Sequence, residues 1–381
     1  MAIPRSIWRS IRRSTWPPNR RPAWRPTWRP FRTHQAWARV ALALTLGSAG
    51  GVGFFALALP LPWMMGAMVA TTVAAVGGLP VRLPPALRAV MIAVLGVMLG
   101  SAFTPAMLDR FGLWSISLAM LVPFVVLATA VSLVYHRRVA GYEPVTAYFA
   151  SAPGGLSDMT ILGGALGGDE RIIALTHSAR ILLVVMVIPT AFRLIGGFDP
   201  AARANPFDPL DAVDPVDLAV LTATGIAGYA GARLVRLPAA QLVGPAALSA
   251  LLHLSGATDS ALPGWAVAIA QIAVGAAIGC RFAGVGLRVV ARVLALAVGS
   301  LAGLAMVTVG AALAVSALTG LDPRILVLAF APGGMAEMSL IALALGLDPA
   351  LVTTHHVVRI FLVVLLMPLA FKVLARRGRL R

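Results

Sequence analysis

Long apolar stretches separated by short polar breaks fill the chain from residue 40 to its end, in two similar series. The first series has apolar runs near residues 40–59, 63–76, 89–103, 113–135 and 172–195. Runs of about twenty apolar residues match the hydrocarbon core of a bilayer, so they predict membrane-spanning helices. A different pattern precedes the last run. Residues 143–152 form one short apolar arm, a Pro-Gly-Gly break follows, and residues 156–166 form a second. At about 1.5 Å rise per residue each arm covers roughly 15 Å, half of a core of roughly 30 Å. Length leaves a broken span and a re-entrant hairpin equally open.

The break occurs twice. Ala152-Pro153-Gly154-Gly155-Leu156-Ser157-Asp158-Met159 runs on to His177, Arg180 and Pro189, and Ala331-Pro332-Gly333-Gly334-Met335-Ala336-Glu337-Met338 runs on to His356, Arg359 and Pro368. The copies align without a gap at an offset of 179, with sixteen of thirty-eight pairs identical. Chance identity among Ala, Leu and Val does not account for a matched Pro-Gly-Gly, acid, His-x-x-Arg and closing Pro. The fold is therefore read as an internal duplication. It divides the chain into an arm (1–38), a first membrane module (39–197), an acidic linker (198–217), a second module (218–375) and a basic tail (376–381). Glycines recur in register too. Gly47, Gly50 and Gly53 are answered by Gly225, Gly228 and Gly231, and Gly96-x-x-x-Gly100 by Gly275-x-x-x-Gly279. Small residues four apart let helix backbones approach, so these read first as packing surfaces.

Charge decides the crossing number. The tail, with Arg376, Arg377, Arg379 and Arg381, and the arginine-rich arm belong on the cytoplasmic side by the positive-inside rule. Five crossings per module, with the Pro-Gly-Gly segment re-entrant, also put Arg82, Arg88, Arg137, Arg138, Arg233, Arg236, Arg281, Arg288 and Arg292 inside. Six crossings would put the last five outside. Five is the better arrangement, and an odd count turns the second module upside down relative to the first. The expectation is an all-α membrane protein of two inverted modules, each with about five transmembrane helices plus a hairpin. It would lie in a bacterial inner membrane with both termini cytoplasmic.

Composition agrees and narrows the partners. The 381 residues are 59% hydrophobic and 12% charged, with mean hydropathy +0.88, whereas soluble domains run near 25% charged. Much of the net charge of +17 sits in the arm, which holds nine arginines and no acid, with Trp8, Trp16, Trp24, Trp28 and Trp37 and many prolines. Such a segment reads as disordered in water and suited to anionic lipid headgroups. No nucleic-acid-binding motif accompanies it, so nucleic acid is not an expected partner. A start codon read too early in an arginine-biased genome would account for the same stretch. It does not read as a signal peptide. Cys280 stands alone, which excludes an intramolecular disulfide and a cysteine-based metal cluster.

The duplicated A-P-G-G-[LM]-x-[DE]-M segment resembles the AbrB-type polytopic membrane proteins of Gram-negative bacteria, over residues 39–375. Members of that family are often labelled ammonia monooxygenases or membrane regulators of gene expression. The resemblance thus implies a regulatory role as the alternative to transport.

Inverted modules would bring the two breaks together near the midplane, where secondary transporters place their sites and where non-helical backbone must line protein or water. The candidate solute or ion site is Gly154, Gly155, Asp158, His177 and Arg180 with Gly333, Gly334, Glu337, His356 and Arg359. Unpaired, the four charges would cost on the order of 10 kcal/mol at the bilayer centre. Pairing of acid with arginine is therefore expected, either as a purely architectural lock or around a polar cavity. His177, His355, His356, Asp158 and Glu337 offer nitrogen and oxygen ligands but show no His-x-x-x-His or His-Glu-x-x-His spacing, so no metal site or cofactor is expected. Ser157 and Thr160 are too generic for a hydrolase, and no enzymatic activity is expected. The expected ligand is a small solute or a proton, and a homodimer is left open.

Overall fold

The computed structural model describes residues 34–105, 111–194 and 214–376. Most of the arm, most of the acidic linker and the tail after Arg376 lie outside the described residues. Everything regular within them is helical. The first half contains α1 (His34–Ala56), α2 (Pro62–Val76), α3 (Pro85–Gly100), α4 (Phe111–Ala119), α5 (Leu121–Arg138), α6 (Pro144–Ala150), α7 (Leu156–Ala165) and α8 (Glu170–Leu194). The second contains α9 (Pro215–Leu234), α10 (Ala240–Leu254), α11 (Gly264–Gly279), α12 (Leu287–Thr319), α13 (Pro323–Phe330), α14 (Met335–Ala344) and α15 (Pro349–Arg376), with a single 3-10 turn at Cys280–Phe282.

Among the described residues six helical stretches are long and apolar enough to cross a membrane: α1, Trp114–Arg138 across α4 and α5, α8, α11 with its 3-10 turn, α12, and α15. The helices α2, α3 and α10 are apolar but shorter. Apolar side chains such as Val126, Met306 and Leu365 stand exposed on the outer surface, as suits contact with hydrocarbon rather than water. Two boundaries differ from expectation. The first helix starts at His34, inside the arm, and α9 starts at Pro215, inside the expected linker. Asp214 caps α9 by accepting from the Val216 N–H at 2.8 Å, and Asp217 in the first turn suits the helix dipole.

Helix starts follow simple rules. Pro62, Pro85, Pro144, Pro215 and Pro323 each open a helix, where the missing N–H costs nothing. After each hairpin an aspartate restarts the chain. Asp169 accepts from the Arg171 and Ile172 amides at 2.9 and 3.0 Å, and Asp348 from those of Ala350 and Leu351 at 2.9 and 3.2 Å. At the mouth of the second hairpin Asp322 caps α13, and its hydrogen bond from Arg324 holds its carboxyl below the usual carboxylate range.

The halves interlock through their glycines. A Cβ at Gly96 on α3 would stand 2.8 Å from the Leu242 carbonyl oxygen of α10, and one at Gly100 2.7 Å from Ser249 Oγ. Gly279 on α11 approaches Met68 and Thr72 of α2, and Gly275 approaches Met64. Residue numbers rise together along both pairs, so α3 runs parallel to α10 and α2 parallel to α11.

Candidate functional site at the two hairpins

With seven, ten, eight and ten residues, α6, α7, α13 and α14 are too short to cross a bilayer alone. Each pair is broken at Pro-Gly-Gly, because proline can neither donate to nor fit within a continuing helix. Backbone at the second glycine then differs between copies. Gly155 takes φ +65°, the left-handed region glycine tolerates, while Gly334 is extended at φ −77°, ψ 151°.

Each break is read by the helix that follows it. His177 on α8 is fully buried, with Nε2 3.0 Å from the Phe149 carbonyl oxygen and Nδ1 2.8 Å from Arg180 Nη2. Arginine only donates, so Nδ1 accepts and the ring proton sits on Nε2, which donates to the carbonyl. The second half repeats this with the same spacing. His356 Nε2 lies 3.0 Å from the Leu328 carbonyl oxygen and Nδ1 2.8 Å from Arg359 Nη2. Both histidines therefore fasten a hairpin arm to an arginine one turn away.

The arginines then diverge. Arg359 donates through Nη1 to the carbonyls of Phe330 and Ala331, and through Nη2 to that of Gly333 at 2.9 Å. Arg180 is 4% exposed and makes no such bonds, and its Nε and Nη1 are buried without a partner. The expected acid–arginine pairs are not formed. Asp158 is half-buried and Glu337 is 7% exposed, yet neither meets Arg180 or Arg359. The carboxylate of Glu337 instead curls over Gly334, where any Cβ would collide with it, and it feels the charges of Arg88 and Arg281. The reason is local. A break in a helix leaves carbonyl oxygens without their amide partners, and those oxygens reach Arg359 before any carboxylate does.

The hairpins meet across the halves. A Cβ on Gly154 would stand 3.8 Å from Arg359 Nε, and one on Gly155 3.6 Å from Val363 of α15. Reciprocally, Gly333 faces Val184 of α8 at 3.0 Å by the same measure. Arg180 and Arg359 are near enough to feel each other's charge. Gly154, Gly155, His177, Arg180, Gly333, His356 and Arg359 thus form one centre. Gly334 and Glu337 lie at its edge, turned toward Arg88 and Arg281. Aromatic contacts tie the centre in, with Phe330 on Phe124 and Tyr148 and Phe149 on Phe371.

The chain matches the family described as "Transition state regulatory protein AbrB" over residues 63–375. It belongs to the AbrB family. It is 28% identical to "Putative regulator AbrB" of Escherichia coli (strain K12) over 318 residues, 83% of this chain and 91% of the relative. It is also 28% identical to "Uncharacterized protein YhjN" of Bacillus subtilis (strain 168) over 299 residues, 74% of this chain and 77% of the relative. The similarity thus reaches beyond the Gram-negative bacteria. As a member of this family the chain is a multi-pass membrane protein, and the lipid bilayer is its surrounding.

Several neighbours of the site escape the repeat signal. Arg88 and Arg281 have Val267 and Ala102 at the corresponding positions, so only their charge marks them in the sequence. His136 is likewise unduplicated, and its Nδ1 lies 2.9 Å from Ser151 Oγ at the end of α6. His355 points away from the centre, with Nε2 2.9 Å from Ser117 Oγ. Among the described residues no three His, Cys, Asp or Glu side chains gather as a metal site.

Proposed function

We propose that this AbrB-family protein is a secondary transporter of a small solute, and not an enzyme, with its site where the two hairpins meet. In this reading it lies in the bacterial inner membrane as two inverted modules, with both termini cytoplasmic. The observation that carries the proposal is the reciprocal contact of each broken hairpin with the other half's long helix, around two buried arginines. Non-helical backbone and charge at membrane depth are costly, and they persist where they are buried in protein or line a path.

The helix directions support inversion. Consecutive spans cross in opposite senses, so α2 and α3 are antiparallel. Since α11 runs parallel to α2, it opposes α3, its own counterpart by position. Unequal hairpins support alternating access. The second is clamped by Arg359 and covered by Glu337, whereas the first is unclamped and its acid half-exposed. A rocking exchange of these two conditions would open the site first to one side and then to the other. Asp158 and Glu337 are the candidates for carrying a coupled proton. The regulatory reading rests on the names of the family and of the Escherichia coli relative, and it fits as an indirect consequence of moving a solute.

The test is uptake into proteoliposomes holding the purified chain, over a panel of small metabolites and with and without a proton gradient. Saturable uptake is expected for at least one solute. Asp158→Asn and Glu337→Gln should abolish it or its dependence on the gradient, with melting temperature within a few degrees of the parent. A well-folded protein that moves nothing in the panel would sink the proposal.

A further inference from the structure

The two half-sites have the same parts and are finished differently. In the second half, the arginine's two terminal nitrogens and the acid are engaged from within the chain. Arg359 has three hairpin carbonyls and His356, and the N-terminal end of α14 faces the carboxylate of Glu337 folded over Gly334. In the first half the same demands stand open. Arg180 has His177 alone, and its Nε and Nη1 are buried with no partner. Arg359 adds a third unpartnered nitrogen, Nε, beside Gly154. Asp158, one methylene shorter than Glu337, accepts from its own amide in the first turn of α7 but does not reach over Gly155. The atoms nearest a Cβ on Gly155 belong to Val363 and Met159.

Arg359 Nε therefore borders the start of α7 with nothing to receive it, and Arg180, near enough to feel the charge of Arg359, holds two more unpartnered donors. A buried charge that lacks a counterion is expensive, and an unmade hydrogen bond to it costs more than a neutral one. A helix N-terminus adds amide donors and a favourable dipole for negative charge. Apart from Asp158 in the first turn of α7, the unpartnered groups here are donors. A cation or an amine would add repulsion, and a neutral solute would leave the guanidinium charge unbalanced.

We infer that the transported solute carries a carboxylate, which seats between Arg180, Arg359 Nε and the N-terminal end of α7. The duplicated position supplies the argument for a carboxylate over other anions, because there the chain folds its own carboxylate, Glu337, over the equivalent glycine. Planar guanidinium groups also match a carboxylate's two oxygens. This inference rests on the transport reading and names its substrate class.

Thermal unfolding of the purified full chain in detergent tests it, with sodium acetate, lactate and succinate as probes. Matched controls are acetamide, lactamide, succinamide, methylammonium, phosphate and sulfate at constant ionic strength. At least one carboxylate should raise the melting temperature by roughly a few degrees in a saturable way, as expected for a ligand that binds only the folded state. The matched amide should not. Arg180→Gln should remove the shift, and Arg180→Lys, which keeps the charge but loses the planar fork, should weaken binding at least tenfold. Equal stabilisation by amides or methylammonium, by phosphate or sulfate in place of carboxylates, or by carboxylates in both folded variants would overturn the inference. If neither variant folds, the parent's carboxylate-against-amide comparison decides alone. Binding and flux are read separately. A carboxylate that binds but never crosses keeps the carboxylate site and removes transport, while uptake of a cation alone keeps transport and removes the carboxylate site.

Discussion

At the scale of single residues, His177 and His356 hold the hairpins more directly than the acids do. Each donates to a carbonyl at the end of a broken arm and accepts from an arginine. Replacing either with alanine removes both bonds. A hydrogen bond to a charged group contributes about 1.5 to 3 kcal/mol, so His356→Ala should lower stability by about that much. His177→Ala should cost more, because Arg180 then has no partner at all, whereas Arg359 keeps its three carbonyls. Melting temperatures of the two variants in one detergent check the order, and an equal or reversed order would show that Arg180 has another partner in solution. The His-x-x-Arg spacing was legible in the sequence because residues three apart share a helix face. The partner of the arginine was not. Nothing in the order of residues says that carbonyls freed at Ala331 and Gly333 would outcompete a nearby carboxylate.

At the scale of helices, the duplicated glycines sort into two kinds that the sequence presents alike. Gly96 and Gly275 bring backbones of opposite halves together, and Gly50 on α1 brings its backbone against Gly66 on α2 within the first half. Gly53 and Gly231, members of the same series, have nothing within 4 Å of an added Cβ. Their register in the repeat was readable, but which face meets another helix depends on a partner about 150 to 200 residues away in the chain. Leucine at Gly96 or Gly275 must push a helix backbone aside, and such overpacking costs about 1 to 3 kcal/mol or more. Leucine at Gly53 or Gly231 should change little. Size-exclusion profiles and melting temperatures of the four variants should separate the pairs. Loss of fold at Gly53 or Gly231 would point to a surface that packs against something else in the membrane.

At the scale of the whole molecule, the sequence told more about order than about contact. About five transmembrane helices and one hairpin per module were anticipated from apolar runs; among the described residues six helical stretches are long and apolar enough to cross, and α7 and α14 start and end in register with the offset of 179. What could not be read was that each hairpin would serve the opposite half, since a repeat describes a module and not its docking. The inverted arrangement we propose makes one demand on the entire chain. Arg171 Nη2 reaches the Gly284 carbonyl oxygen at 3.3 Å, which sets the start of α8 beside the turn between α11 and α12. That turn region carries Arg281, Arg288 and Arg292, and the first half contributes Arg137 and Arg138 at the end of α5. By the positive-inside rule all of these belong to the cytoplasmic face. In the proposed arrangement the end of α8 then emerges on the other side, and the linker that follows, rich in aspartate, is expected to be periplasmic. A topology reporter fused near Asp211 should therefore read periplasmic, and fusions after Arg138 and after Arg376 cytoplasmic. A cytoplasmic signal at Asp211 would require an even number of crossings in the first module. The two halves would then point the same way, and their hairpins would enter from one face instead of meeting from two.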